Sequence, residues 1–240
     1  MTEYETLTVE RDGGVARIVL DNEDQRNAVS LESASELIDA TTALGEDSDA
    51  RCIVLTHSGQ FFGAGADLTQ FDGHDTAGDA SHIRQLAGRI HEAVIQLHQT
   101  RTPVVGGVSG VAAGAGFSLA LAPDLLVVSE DARLEYAYPR IGLTGDGGST
   151  FFLPRLVGLR TAKEIALLDE PIPPADAVEM GLATEAVPAG EFEDRLSELA
   201  ADLAAGPTHA LGSVTRLMTE SFDRSLESQL AEETDAIARA

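Results

Sequence analysis

Hydrophobic and polar residues follow two different periods along this chain. They alternate one by one over 7–9, and a mostly apolar, strand-like run resumes over 15–20 after the tripeptide Asp12-Gly13-Gly14. Alternation with a period of two is typical of half-buried strands, and a glycine turn between two such runs predicts a β-hairpin. Later apolar runs are short and continuous: 52–56, 104–108 and 125–129. Runs of this kind predict fully buried strands.

Helical spacing appears between and after these strands. Ser30 can cap a helix, and the apolar residues that then share one face are Leu31, Ala34, Leu37, Ile38 and Ala43. Residues 72–80 show no period and predict a loop, and Ser81 begins a helix with a second apolar face: Ile83, Leu86, Ile90, Val94 and Leu97. From Glu191 onward the pattern is helical. This order predicts an α/β fold with a core over 1–190 and a helical region over 191–240.

One strand-to-helix turn stands out because of its small residues. The strand at 104–108 is followed by Gly110-Val111-Ala112-Ala113-Gly114-Ala115-Gly116 and then by the apolar start of a helix. Small residues let another molecule approach the backbone, and the first N–H groups of a helix have no helical partner. The turn therefore predicts either a site for a negatively charged oxygen or close packing of a helix on a sheet, and its residues alone leave both interpretations open.

Composition excludes several kinds of partner. Hydrophobic residues make up 43% of the 240 residues, which is enough for a sizeable core. Forty acidic residues against sixteen basic ones give a net charge of −24, and Lys163 is the only lysine. Such a charge repels nucleic acids and anionic membranes, so we expect neither as a partner. The acids are spread along the whole chain, which suits a surface adapted to high salt.

The titratable residues point to neither a disulfide framework nor a metal site. Cys52 is the single cysteine and lies in an apolar run, so we expect it to be buried. The sequence lacks a leader-like start and an apolar stretch of membrane-spanning length, and we expect a cytoplasmic protein. The histidines are scattered without ligand spacing or an evident carboxylate partner, which favours packing and surface roles: His57, His74, His82, His91, His98 and His209.

Four motifs, taken together, resemble one known family. They are Asn27-Ala28 after the second strand, residues 62–68, residues 110–121 with Asp124, and residues 147–155. In this order and spacing they resemble the crotonase (enoyl-CoA hydratase/isomerase) family over about residues 7–230, and the glycine run is most similar to that of the epoxyphenylacetyl-CoA isomerases. A dinucleotide fingerprint would need glycine or alanine at Leu119, and a phosphate-binding loop would need a lysine that the turns lack.

The resemblance implies a fold and a substrate class. Members of the family form a spiral of ββα units with a C-terminal helical trimerisation region, so a homotrimer or a dimer of trimers is expected. Their substrates are acyl-CoA thioesters, and coenzyme A enters as part of the substrate, with no further cofactor and no metal. The helices after Glu191 carry Leu196, Leu199 and Leu203, which we expect to be buried against a neighbouring subunit.

The resemblance also assigns roles to individual residues. The backbone N–H groups of Ala66 and Ala115 match the family's oxyanion hole, which binds the thioester oxygen, and Gly114, Ser118 and Tyr138 match its substrate pocket. A further set matches positions where the family contacts coenzyme A: Arg26, Ala28, Ala64, Asp67 and Leu68. For Arg26 a salt bridge at the surface is an equally good interpretation.

The sequence departs from the family at two positions. Hydratases of the family use two glutamates, and the matching residues here are Ser118 and Tyr138. Adding water to a double bond needs one group to deprotonate water and another to protonate carbon, so this loss disfavours hydratase chemistry. Glu135 lies three residues before Tyr138 on an extended segment, where we expect it to face the other way and to be a solvated surface acid.

Asp146 is the remaining candidate for the acid/base. It follows Tyr138 by eight residues. The resemblance matches it to the catalytic acid/base of ring-epoxide and dienoyl-CoA isomerases and to the nucleophile of chlorobenzoyl-CoA dehalogenases, although those dehalogenases have tryptophan where Tyr138 stands. Alternatively, an aspartate just before Gly147-Gly148-Ser149-Thr150 could cap a helix. We expect an acyl-CoA isomerase, with a hydratase and a non-catalytic acyl-CoA-binding protein as the alternatives.

Overall fold

The computed structural model describes residues 3–69 and 76–239. Within them the strands are β1 Leu7–Asp12, β2 Val15–Leu20, β3 Cys52–His57, β4 Phe61–Gly63, β5 Val104–Val108, β6 Val111–Ala113, β7 Leu125–Ser129, β8 Arg133–Glu135 and β9 Glu185–Val187. The helices are α1 Leu31–Gly45, α2 Thr76–Gln99, α3 Ala115–Ala120, α4 Ser149–Leu156, α5 Gly158–Leu168, α6 Pro174–Glu179, α7 Phe192–Ala205, α8 Thr208–Glu220 and α9 Leu226–Ile237. None of the described helices combines the length and apolar character that crossing a bilayer requires.

The strands form two sheets that the chain visits in turn. The larger sheet has the order β1-β2-β3-β5-β7-β9, and the smaller has the order β4-β6-β8. Apart from the antiparallel pair β1 and β2, neighbouring strands in both sheets are parallel. Each repeat places one strand in the larger sheet and the next in the smaller sheet, and a helix follows: β3-β4-α2, β5-β6-α3 and β7-β8-α4. The α/β spiral of ββα units expected from the motifs is confirmed.

Local sequence signals account well for the first elements. The hairpin of β1 and β2 turns at Gly13 and Gly14, whose φ angles of 54° and 88° a side chain would disfavour. Ser30 caps α1 as expected, because its side chain accepts the N–H of Ser33. The start of α2 was predicted wrongly, since the helix begins at Thr76 and not at Ser81. The part of the predicted loop at 72–75 lies outside the described residues.

The helical region begins against the sheet of the core. Leu196 is fully buried in a cluster with Val54, Val105 and Val127 from the larger sheet, and Leu199 and Leu203 pack against the same cluster. A Cβ on Gly107 would lie 3.2 Å from a methyl group of Leu196, so the helix sits directly on β5. The expectation that these leucines are buried only against a neighbouring subunit is therefore wrong. Cys52 joins this cluster, and burial raises the pKa of its thiol to about 12.

Other helices carry the apolar surface that an assembly would cover. Exposed large apolar side chains on α4 and α5 include Leu156, Leu159, Leu167 and Leu168, and those from α8 to α9 include Met218, Phe222, Leu226, Leu230 and Ile237. Clusters of large exposed apolar side chains mark interaction surfaces. We therefore expect a homotrimer or a dimer of trimers built through these helices. Light scattering in molar salt should give three or six times the mass of one chain, and the mass of a single chain would contradict this expectation.

Candidate active site

Two loops of the smaller sheet touch through their backbones. A Cβ on Gly116 would lie 2.7 Å from the Cα of Gly63, and a Cβ on Gly63 would lie 2.9 Å from the Cα of Gly116. Next to this contact, a Cβ on Gly114 would lie 3.4 Å from the Cα of Gly65. Glycine is needed on both sides of the contact, because the Cβ atom of any other residue would clash with the facing backbone. The loop after β4 and the turn before α3 are thereby held in direct contact.

This contact brings the segments of Ala66 and Ala115 together. Ala115 is the first residue of α3, so its N–H has no partner within the helix. Beside Ala66, the N–H of Val29 donates to the Gly65 carbonyl and the N–H of Asp67 donates to the Val29 carbonyl, both at 2.8 Å. Within the part of the chain that the structure describes, the N–H groups of Ala66 and Ala115 donate no hydrogen bond. Both are available to an oxygen of a ligand, which fits their predicted role.

Gly116 offers a direct test of this contact. We expect Gly116→Ala to lower the free energy of unfolding by about 1–3 kcal/mol and to impair activity, because the new Cβ meets backbone that cannot rotate away. The matched control is Gly88→Ala on α2, where a Cβ meets no atom within 4 Å. There, alanine should be neutral or stabilise by up to about 1 kcal/mol. Chemical denaturation of both variants measures the difference, and equal stabilities would contradict the expected clash.

Ser118 and Tyr138 are joined to each other beneath this turn. Ser118 is completely buried, and its Oγ lies 2.8 Å from the Tyr138 hydroxyl. The Ser118 hydroxyl also reaches the Gly114 carbonyl at 3.2 Å, and the Tyr138 hydroxyl donates to the Asp146 carbonyl at 3.2 Å. Burial raises the pKa of the Tyr138 phenol, so it stays protonated at neutral pH. Both residues are thus neutral hydrogen-bonding groups that connect the turn at Gly114 to the loop of Asp146.

The Asp146 loop lies over Ser118. A Cβ on Gly147 would lie 2.9 Å from the Ser118 Cβ, and the φ angle of Gly147 is 58°. The helix that follows, α4, has Gly148 as its N-cap and no side-chain cap hydrogen bond. The alternative interpretation of Asp146 as a helix cap is therefore wrong, because only its carbonyl accepts the N–H of Ser149. Asp146 instead lines the cleft beside α4.

His91 is the functional candidate that the sequence did not reveal. Its Nε2 contacts Oδ1 of Asp146, so the expectation of histidines without a carboxylate partner is wrong. The two residues are 55 positions apart, and only the packing of α2 beside the Asp146 loop joins them. The only signal in the sequence was helical spacing, which places His91 on one face of α2 with Val94, Ile95 and His98. The residues Leu86, Ile90, Val94 and Leu97 of the predicted apolar face are buried as predicted, whereas Ile83 is 38% exposed.

Aromatic side chains line the cleft next to His91 and Asp146. His91, Val94, Ile95 and His98 line it from α2, and Asp146, Phe151 and Phe152 line it from the other side. The ring of His98 meets that of Phe152 edge-on at 5.1 Å, and the rings of Phe151 and Phe152 meet at 5.3 Å. Burial lowers the pKa of His98, so its imidazole is uncharged at neutral pH. A carboxylate and an imidazole thus stand at one end of a largely apolar cleft.

Glu135 anchors the segment that carries Tyr138. It is 5% exposed and pairs with Arg140, whose Nε lies 2.8 Å from Oδ2 of Asp169. Asp169 also accepts the N–H of Ala137 at 2.7 Å, just before Tyr138. The expectation that Glu135 is a solvated surface acid is wrong, because two arginines, Arg133 and Arg140, neutralise it at a buried position. Its carboxylate is committed to these ion pairs and does not replace a missing catalytic glutamate.

The residues predicted to contact coenzyme A form one rim next to Ala66. The N–H of Ala64 donates to the Arg26 carbonyl at 3.1 Å, and the Arg26 guanidinium lies 5.5 Å from the centre of the Phe61 ring. Ala64 and Leu68 are exposed, whereas Asp67 accepts the N–H and the hydroxyl of Thr69. Ala28 lies between Arg26 and the Val29 bridge to Ala66. Their contact with coenzyme A stays a prediction.

Among the described residues, no three metal-ligating side chains are grouped.

Comparison with known proteins gives relatives along nearly the whole chain. A probable enoyl-CoA hydratase from Rhodobacter capsulatus is 38% identical over 230 residues, which cover 95% of this chain and 86% of the relative. A 4-chlorobenzoyl coenzyme A dehalogenase from Arthrobacter is 33% identical, with coverage of 92% and 80%. A 1,2-epoxyphenylacetyl-CoA isomerase from Escherichia coli is 31% identical, with coverage of 98% and 89%. These relatives catalyse different reactions, so identity alone does not select one.

The same relationship appears in the fold and in the family pattern. An enoyl-CoA hydratase structure from Bacillus anthracis superposes with a TM-score of 0.91 at 28% identity, covering 98% of this chain and 90% of that one. The model of the enoyl-CoA hydratase/isomerase family matches residues 10–239. Its span takes in both touching loops, Asp146 and the C-terminal helices. The chain therefore belongs to the enoyl-CoA hydratase/isomerase family, the crotonases.

Proposed function

We propose that this protein is an acyl-CoA isomerase that moves a proton on the acyl group of a coenzyme A thioester. The observation that carries the proposal is the Asp146 carboxylate, which caps no helix and lies in the cleft. Its loop is linked through Tyr138 and Ser118 to the turn that presents the Ala115 N–H. The positions of the hydratase glutamates hold neutral hydroxyl groups. A single carboxylate, on a loop bonded to the turn that carries a free N–H donor, suits proton removal and return better than water addition.

In this mechanism the oxyanion hole and the base act on one substrate. Removing a proton conjugated with the thioester carbonyl places negative charge on the carbonyl oxygen. The N–H groups of Ala66 and Ala115 would stabilise that charge, each by about 2.7–4 kcal/mol by analogy with other oxyanion holes. Asp146 would take the proton and return it to another carbon of the same conjugated system. His91 would hold the carboxylate in position through its Nε2 contact.

The cleft favours an aromatic acyl group. Two relatives carry names that specify aromatic thioesters, 4-chlorobenzoyl-CoA and 1,2-epoxyphenylacetyl-CoA. Phe151, Phe152 and His98 offer ring edges and faces to a further ring, an arrangement worth about 0.5–1.5 kcal/mol per pair beyond the buried area. We propose that the acyl group contains a ring or a bulky unsaturated chain lying against these three side chains.

A panel of coenzyme A esters tests the proposal. Purified protein in high salt is incubated with linear enoyl, phenylacetyl-derived and ring-containing esters, and the products are separated by liquid chromatography with mass spectrometry. The proposal predicts a product of unchanged mass and altered retention from at least one unsaturated or epoxide-bearing ester. Binding of the esters without conversion would instead support a non-catalytic acyl-CoA-binding protein.

The contact of His91 with Asp146 favours one second candidate, a hydrolytic dehalogenase. Asp146 would attack a ring carbon that carries chlorine, expel chloride and form an aryl ester. His91 would deprotonate a water that hydrolyses this ester, regenerating the carboxylate and leaving a phenol plus HCl. Chloride release from 4-chlorobenzoyl-CoA tests this candidate. In a single turnover in H₂¹⁸O the phenol should retain an oxygen from the protein, whereas incorporation of ¹⁸O in the first turnover would exclude the aryl ester.

A further inference from the structure

His57 lies where the two touching loops leave the larger sheet. It ends β3 and is only 7% exposed. Its Nε2 lies 3.1 Å from the backbone nitrogen of Ser109 and 3.2 Å from the Ser109 Oγ, just after the end of β5. Its Nδ1 lies 3.2 Å from the Ser58 carbonyl oxygen, and its ring packs edge-on against Phe62 at 5.7 Å. One buried imidazole thus joins the ends of two parallel strands.

Those two strands lead directly to the predicted oxyanion donors. The chain runs from His57 through β4 to Ala66, and from Ser109 through β6 to Ala115. A second hydrogen bond joins the two segments close to the imidazole, from the N–H of Val111 to the Gln60 carbonyl at 2.9 Å. A Cβ on Gly110 would lie 3.2 Å from Cε1 of His57, so the ring fills the space between the segments. The junction therefore joins the two segments at the point where both begin.

The hydrogen bonds define the protonation state of the ring. The backbone N–H of Ser109 can only donate, so Nε2 must carry a lone pair, and the Ser58 carbonyl can only accept, so Nδ1 carries the proton. A proton on Nε2 would set two N–H groups against each other. Burial lowers the pKa of His57, which keeps the ring neutral at neutral pH. Three carboxylates lie near the junction. Glu193 pairs with Arg17 at 3.1 Å, Asp21 accepts the Ser58 hydroxyl, and Glu23 lies against Gly59.

We propose that His57 is a positioning residue whose neutral imidazole fixes the spacing of the Ala66 and Ala115 N–H groups, and that protonation of the ring releases this spacing. The inference rests on the proposed function, because it assumes that both N–H groups bind the thioester oxygen. Below the pH at which Nε2 takes up a proton, the bond to Ser109 is lost and the two loops are free to separate. The protein would then keep its fold and its coenzyme A rim but polarise the thioester less.

Two substitutions separate this role from simple packing. His57→Gln places an acceptor near the position of Nε2 but cannot be protonated, and His57→Phe keeps the ring against Phe62 but removes the acceptor. The probe is phenylacetyl-CoA labelled with ¹³C at the thioester carbonyl, whose stretching frequency falls when N–H groups bind its oxygen. Isotope-edited infrared spectra of the bound ester report this shift without any turnover, and titration calorimetry reports the affinity.

The expected results differ for each protein. Wild type should show a lowered carbonyl frequency at neutral pH that reverts at an acid pH below the lowered pKa of His57. His57→Gln should keep the lowered frequency at both pH values, and His57→Phe should lose most of it at both while binding the ester with similar affinity. Isomerase turnover in His57→Phe should fall by about tenfold to a hundredfold in kcat with little change in KM.

Two outcomes would overturn the inference. One is a His57→Gln spectrum that reverts at the same pH as that of wild type, since another group would then be titrating. The other is an unchanged frequency in a folded His57→Phe variant. If that variant fails to fold, the comparison of wild type with His57→Gln still decides. A wild-type complex without any lowered frequency would contradict the oxyanion hole itself, and that failure of the proposed function is distinguishable from a failure of the His57 role.

Discussion

Replacing Asp146 with asparagine is expected to reduce isomerisation by at least about a hundredfold while the protein keeps its fold. Asparagine has the same size but cannot accept the proton that the proposed mechanism moves. The carboxylate caps no helix, so α4 loses no cap, and the backbone carbonyl that Ser149 and Tyr138 use remains. The contact with His91 is half-exposed and contributes no more than about 1 kcal/mol to stability.

Three measurements on this variant separate catalysis from structure. Turnover of the ester identified by the panel should collapse, whereas the melting temperature and the affinity for that ester should change little. Asp202→Asn is the matched control, because Asp202 is an exposed aspartate on α7 away from the cleft, and its turnover should equal that of wild type. An Asp146→Asn variant that keeps more than about a tenth of wild-type activity would exclude Asp146 as the proton carrier.

Hydration of crotonyl-CoA is expected to be slower than in a two-glutamate member of the family by about two to four orders of magnitude. At the glutamate positions this chain has Ser118 and Tyr138, which are buried, neutral and bonded to each other. Neither can deprotonate water, and the Tyr138 phenol stays protonated because burial raises its pKa. The remaining carboxylate in the cleft, Asp146, supplies one acid/base group where water addition needs two.

Spectrophotometry of the crotonyl-CoA double bond, with a two-glutamate hydratase assayed in parallel, measures this difference. Hydration at the rate of that relative would contradict the isomerase assignment and favour a hydratase in which Asp146 and His91 hold the water. His91→Asn would then distinguish the two mechanisms. It should abolish water addition by such a pair, whereas an isomerase that uses Asp146 alone for proton transfer would retain part of its rate.

Features of the sequence that act over short distances were predicted well. The hairpin follows from two strand-like runs and the glycines at positions 13 and 14, and the start of α1 follows from Ser30. In each case a few neighbouring residues determine the conformation. Tertiary contacts then stabilise a conformation that the local sequence already favours.

The errors concern contacts between residues far apart in sequence. His91 and Asp146 come together only because α2 packs beside the loop before α4, and helical periodicity does not specify what a face will meet. Glu135 looked solvated because alternation along β8 cannot reveal that Arg140 folds back onto it. The leucines of α7 form an apolar face of the usual kind, and the pattern alone cannot say whether a sheet of the same chain or a neighbouring subunit covers it.

The central claim is that this protein forms a thioester enolate with Asp146 as the base, and hydrogen exchange tests that claim most directly. Wild type and Asp146→Asn are each incubated in D₂O with every coenzyme A ester that binds, and deuterium next to the thioester or at the conjugated γ-carbon is followed by mass spectrometry. The account predicts deuterium uptake with wild type that Asp146→Asn slows by at least about a hundredfold. Wild type that binds these esters and exchanges no proton of any of them would contradict it.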